Sequence, residues 1–196
     1  MRLGEYDTSD DAEVPPHEDF AAQWILIHRE FKMPPELVND LAIIRLEDFV
    51  KFKSHIVPIC LPESGVSFQN QEALFSGWGI TRNSGEYEGK LRKTRLKVVS
   101  NIQCDTSMQT HNDSVKIIET HLCAGIDTSN TCIGDSGGPL VVRENGRFVL
   151  IGVLSGGDEN CELPKTFSVF ANISAQIPWI KKCTDVTFPF SGIYLW

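Results

Sequence analysis

An all-β fold with one helix near its C-terminal end is what this sequence predicts, on three observations. Much of the chain consists of short apolar or alternating runs broken by Gly, Pro, Asn and Ser, the pattern of strands separated by turns. Asn172–Lys182 places Ile177 and Ile180 three apart and finishes on Lys181 and Lys182, which suits a terminal helix. The 196 residues suffice for one or two compact lobes with a sizeable core.

Taken in order, Asp7–Glu18 is acidic and contains prolines, so it reads as a surface loop. Gln23–His28 and Leu41–Leu46 are the first two strands. Pro58 to Asn70, with its Pro, Gly and Ser, reads as a connector between lobes. Five further strands follow: Ala73–Trp78, Leu96–Val99, Pro139–Val142, Phe148–Leu154 and Thr166–Phe170. The aromatic tail Thr184–Trp196 is a candidate docking segment or a stretch foreign to the domain. Two sequons occur, at Asn112 and Asn172.

Composition narrows the function classes. A net charge of −8 speaks against a nucleic-acid footprint, and no Lys/Arg block suggests an anionic membrane surface. No apolar run approaches the roughly 18 residues that span a bilayer. Met1–Asp7 has no apolar core of the secretory kind, which taken literally means cytosol. The cysteines point the other way. Cys60, Cys104, Cys123, Cys132, Cys161 and Cys183 are widely spaced, without the close pairs that build zinc sites. Their even number allows a disulfide framework, with 15 connectivities open. Disulfides need an oxidising compartment, so a secreted protein whose signal peptide is not in this sequence is expected. No metal and no cofactor is expected.

Chemistry is concentrated in Gly134-Asp135-Ser136-Gly137-Gly138-Pro139-Leu140. A serine hydroxyl becomes a useful nucleophile only with a base beside it and donors aimed at the oxyanion formed on attack. Glycines around it let the backbone approach a substrate closely. Asn39-Asp40-Leu41-Ala42-Ile43-Ile44-Arg45-Leu46 sets one carboxylate directly before an apolar strand, 96 residues ahead of Ser136.

Both strings resemble those of the trypsin/chymotrypsin-like serine proteases. So do Pro58-Ile59-Cys60-Leu61-Pro62, Gly77-Trp78-Gly79, Leu122-Cys123-Ala124-Gly125 and Pro178-Trp179-Ile180. Arg2-Leu3-Gly4-Glu5-Tyr6-Asp7 and the Pro-Ile-Cys-Leu-Pro string are most similar to arthropod clip-domain proteases of immune and clotting cascades. The resemblance implies a double Greek-key β-barrel of the chymotrypsin type with an incomplete first barrel. Residues 1–60 would be its remnant, 61–183 the second barrel and terminal helix, and 184–196 a tail. It implies hydrolysis of peptide bonds in protein substrates through an acyl-enzyme, with protease inhibitors and cascade proteins as partners. Ser136 would be the nucleophile, Asp40 would orient the catalytic imidazole, and the Gly134 and Ser136 N–H groups would form the oxyanion hole. Cys104–Cys123 and Cys132–Cys161 are the implied disulfides, each worth about 3 kcal/mol. Cys60 and Cys183 stay open, either free or bonded to each other. Asn130 aligns with the base of the primary pocket, where trypsin-like relatives carry an aspartate. Ser155-Gly156-Gly157 aligns with the substrate-pairing strand, Gly156 replacing the usual aromatic. Lys165 aligns with the pocket wall, either pointing to solvent or favouring an acidic side chain, with Asp158 and Glu159 near enough to neutralise it.

The same resemblance exposes a gap. It implies a catalytic histidine before the aspartate in an Ala-Ala-His-Cys context, which this sequence does not contain. His17 and His28 precede Asp40 but are followed by Glu18 and Arg29. His28 falls in a strand matching a later, non-catalytic one, and His17, His55, His111 and His121 read as surface or loop residues. The first strands of the first barrel are missing too. So is the Ile/Val-led terminus whose ammonium would pair with Asp135. Without that partner Asp135 is expected to swing away and leave the oxyanion hole badly formed. The chain is therefore expected to be nearly inert. A non-catalytic homologue serving as a binding module or cascade cofactor is the alternative, favoured by Asn130, Gly156 and Lys165.

Overall fold

The strand signals of the second half close on themselves. In the computed structural model, which describes residues 1–33, 36–80, 87, 89–110, 115–125, 131, 133–157, 167–184 and 193–195, six antiparallel strands form a barrel. They are β5 (Glu72–Gly77), β6 (Arg92–Val99), β7 (His121–Gly125), β8 (Pro139–Glu144), β9 (Arg147–Gly156) and β10 (Ser168–Asn172). Their order β10-β7-β6-β5-β8-β9 closes where β10 pairs with β9, leaving no free edge. The interior is apolar, with Phe75, Leu96, Leu140, Ile151 and Phe170 at its centre. Phe75 and Phe170 meet edge to face, ring centroids 5.9 Å apart.

The first half forms less. A short pair, β1 (Arg2–Leu3) with β2 (Glu18–Asp19), brackets the acidic loop. β3 (Ala22–Ile27) and β4 (Ala42–Leu46) run antiparallel, and β11 (Ile193–Leu195) lies on the other side of β4. This sheet is open, with β3 at one edge and β11 at the other. Part of the tail thus forms a strand. Five of the six barrel strands, all but β7, and the first two strands of this sheet lie within a few residues of their expected bounds.

Among the described residues there are two helices, α1 (Asn101–Thr110) and α2 (Ile173–Thr184). α2 matches the expected terminal helix and packs Ile173, Ile177 and Ile180 on Leu41, Leu150, Val153 and Ala171. Pro178 lies inside it and has no N–H for the Ser174 carbonyl four residues back. That carbonyl instead accepts the Gly65 N–H at 3.1 Å, which ties the connector to the helix. α1 was not expected, because its apolar residues show no helical stripe. Its signal is a cap: Ser100 Oγ accepts the Gln103 N–H at 3.1 Å, the Ser-x-x-Gln spacing of a capping box. The expected Cys104–Cys123 disulfide pins α1 to β7, with Cα atoms 6.2 Å apart. Cys132 and Cys161 lie outside the described residues. Cys60 and Cys183 are both free thiols, so they do not bond to each other.

Candidate active site

Asp40 ends the turn that leads into β4, and its place is set by the second barrel and α2 more than by its own sheet. Ser155, near the end of β9, donates its hydroxyl to Asp40 Oδ2 at 2.6 Å. Asn39 is buried, and its Oδ1 accepts from Gln176 of α2 at 2.7 Å. Leu41 packs into the α2 cluster. Gly156 allows a close approach here: a Cβ on it would meet Leu37 Cδ1 at 2.8 Å.

The Ser136 loop meets the same end of β9. The Gly137 N–H donates to the Leu154 carbonyl at 2.9 Å, and the Leu154 N–H returns to Gly138 at 2.9 Å. Asp40 and the Ser136 turn are therefore held by adjacent residues, Ser155 and Leu154. Ser136 itself is exposed, and its hydroxyl has no hydrogen-bond partner among the described residues. Gly157 follows β9 beside Thr131, whose Oγ1 lies 2.7 Å from Ser168 Oγ. Asn130 and Lys165 fall outside the described residues, as do Asp158 and Glu159.

Asp135 turns toward Gly77-Trp78-Gly79 and accepts the Gly79 N–H at 2.9 Å. A side chain on Gly79 would collide, since its Cβ would lie 2.5 Å from the Asp135 carboxyl carbon. The ammonium of Met1 is elsewhere, donating to the Phe20 carbonyl at 2.6 Å. Gly134, at φ 91°, lies under the ring of Tyr87, whose Cε1 is 2.5 Å from where a Cβ would stand.

None of the described histidines presents a ring to Asp40 or Ser136 by any hydrogen bond. His28 follows β3 and is buried, with its ring 4.7 Å from Trp179 and its Nδ1 accepting the Glu30 N–H at 3.1 Å. Burial holds its pKa below the usual histidine value. His17 Nδ1 lies 3.1 Å from Glu5 Oε2, and His55 Nε2 is 3.2 Å from the Pro16 carbonyl. His121 corrects the expectation of a surface or loop residue: it is a strand residue, 1% exposed, paired with β10 and bonded to the Leu37 carbonyl. His111 lies outside the described residues. Glu5, Glu13 and His17 bring ligand atoms within 4.8 Å of one another. Glu5 there already pairs with Arg2 at 3.2 Å and accepts the Tyr6 N–H at 2.9 Å.

The family model for trypsin matches residues 1–180. The chain belongs to the trypsin family. It is 33% identical to the serine protease filzig of Drosophila melanogaster over 94% of this chain and 11% of that protein. It is 34% identical to CLIP domain-containing serine protease B4 of Anopheles gambiae, over 92% of this chain and 53% of that one. The serine proteinase stubble of Drosophila melanogaster is 33% identical over 92% of this chain and 23% of its own length. The chain thus spans about half, or much less, of the curated relatives it matches. Membership fixes the fold as trypsin-like, with the barrel closed and the preceding sheet open.

Two features of the trypsin-family site were not legible beforehand. Ser155 was singled out only for pairing its strand with substrate, and the bond from its hydroxyl to Asp40 is an additional contact. The Asn39–Gln176 contact joins residues 137 apart in sequence, a separation no local pattern encodes. A cavity of about 700 Å³ lies between residues 64–69 and the starts of α1 and α2, and no residue of the Ser136 loop lines it.

Proposed function

We propose that this chain carries two thirds of a serine endopeptidase's catalytic apparatus. Ser136 is the nucleophile, Asp40 orients an imidazole, and that imidazole comes from a histidine outside Met1–Trp196. The observation that carries this reading is the end of β9, where Leu154 bonds the nucleophile turn and Ser155 bonds Asp40. The end of one strand thus bonds both the turn that carries Ser136 and the carboxylate of Asp40, which supports their acting together.

With the imidazole in place, it would take the Ser136 proton as the hydroxyl attacks the scissile carbonyl, while Asp40 stabilises the imidazolium. The proton would pass to the leaving amine, and water would repeat the sequence on the acyl-enzyme. Gly134 and Ser136 N–H groups are the oxyanion donors, and Asp135 needs an ammonium partner to align them. Ser155–Gly157 pairs with an extended peptide, and Asn130 and Lys165 shape the pocket for its side chain. Protein substrates follow from that strand pairing, and inhibitors or cascade proteins would dock on the same groove. The Cys104–Cys123 disulfide supports an extracellular setting.

Without a base, turnover drops roughly a million-fold, about 8 kcal/mol of barrier. Residues 1–196 should not react measurably with a fluorophosphonate. A chain extended at its N-terminus through an Ala-Ala-His-Cys segment and then activated should label at Ser136 and lose labelling in Ser136→Ala. An extended and activated chain that stays unlabelled would favour the non-catalytic homologue, a binding module or cascade cofactor. Ordinary ester hydrolysis by residues 1–196 would instead mean that one of their own five histidines is the base.

A further inference from the structure

One of the contacts behind Asp40 comes from His121, a buried strand residue outside the motifs that mark the site. His121 Nδ1 accepts the Ile118 N–H at 3.2 Å, so the ring hydrogen sits on Nε2 and is donated to the Leu37 carbonyl at 3.0 Å. Leu37 and Asn39 have φ of 49° and 52°, a left-handed backbone that side chains other than glycine rarely adopt. Such a conformation persists where the surroundings over-determine it. Leu37 is held at its carbonyl by His121 and at its side chain by the space over Gly156. Asn39 is held by Gln176 and donates to the Glu30 carbonyl at 3.3 Å. Asp40 is the next residue.

We propose that His121, as a neutral imidazole, is a positioning residue that sets the backbone of residues 37–39 and so presents the Asp40 carboxylate, and that protonating it releases this segment. The inference rests on the reading of Asp40 as the carboxylate that orients an imidazole. Adding a proton to Nδ1 turns an acceptor into a donor facing the Ile118 N–H, and two donors cannot share that contact. The charged ring would also sit in a buried site. Burial accordingly lowers the pKa of His121, with the Leu37 carbonyl opposing. The titratable or charged groups on the surrounding segments are Glu36 and Asp40 before β4, Arg92, Lys93, Arg95 and Lys97 on β6, Asp105 on α1, and Lys116 and Glu119 beside Ile118. β10 offers none, and Lys181, Lys182 and Cys183 sit at the end of α2. None of these groups is among the causes of the shift. Asp105 is engaged with the Ile117 N–H at 3.1 Å and with Gln109 at 2.8 Å.

The test is an NMR titration of residues 1–196 from neutral pH down to about 4.5. His121 should keep its Nε2–H tautomer to a midpoint below the ordinary value of about 6.5. The amide signals of Leu37, Asn39 and Asp40 should move with that same midpoint. His121→Leu, which removes the donor, should speed amide exchange at Lys32 and Leu41 roughly tenfold, since their bonds end on Val38 and Asn39. His121→Gln, which keeps an N–H, should restore slow exchange and abolish the pH step. Loop signals that ignore the His121 titration, or unchanged exchange in His121→Leu, would overturn the proposal. If His121→Leu fails to fold, the wild-type titration decides alone. None of these readouts involves catalysis, so the coupling can hold even where Asp40 proves to have no catalytic role.

Discussion

The closed barrel and the open sheet are built from similar strands, yet they differ in what covers them. In β9 every residue from Val149 to Leu154 is buried, and in β7 all five are. In β3, whose Trp24-Ile25-Leu26-Ile27 is no less apolar, all six residues are exposed. Strand-forming character is local, whereas burial depends on which strands lie alongside. Asp40 sits at the seam between the two regions, and its ordering comes from the barrel side, through Ser155, His121 and α2. The carboxylate proposed to orient an imidazole can therefore be held from the barrel side although the sheet it introduces is open.

The largest expected effect contrasts the two regions directly. Phe170→Ala, at 0% exposure, should destabilise by about 3–5 kcal/mol, whereas Ile25→Thr, at 59% exposure, should stay within about 0.5 kcal/mol. Urea unfolding measures both. A costly Ile25→Thr would mean that β3 is covered in solution. Next comes the disulfide. The double variant Cys104→Ser with Cys123→Ser should lose about 3 kcal/mol, for a closure of 19 residues, while Cys183→Ser should change little.

Ser155→Ala removes a hydrogen bond to a carboxylate at the seam and should cost about 1.5–3 kcal/mol in the same assay. A neutral outcome would mean that His121 and α2 order Asp40 without Ser155. The smallest effect is on pH. His28 and His121 are both held below their unfolded pKa, so the unfolded chain takes up protons first as pH falls. Their contribution is complete above about pH 6.5 and is lost as pH drops through the lowered folded values. Thermal melts from pH 7.5 to 5 should show that decline. In His28→Phe with His121→Gln it should be smaller.

Much of the fold was readable because the barrel strands alternate or run apolar between turn residues, and α2 has its isoleucines three apart. α1 was hidden because its mean pattern is polar, and only the Ser100–Gln103 cap and Cys104 marked it. At the candidate site, Asp40 and Ser136 were singled out by the resemblance of the strings around them to those of the family. Their supports were not. His121 to Leu37 spans 84 residues and Gln176 to Asn39 spans 137, so tertiary closure alone creates those bonds. The exposure of β3 was hidden for the same reason.

The most direct test is a crystal structure of residues 1–196 that fixes the separation of Asp40 and Ser136. Two hydrogen bonds and an imidazole between them require a carboxylate-to-hydroxyl distance of about 7 Å, with an open gap. A separation near that value, with Ser155 on Asp40, is the predicted result. A distance well beyond about 10 Å, or a side chain of the chain's own filling the gap, would contradict the account.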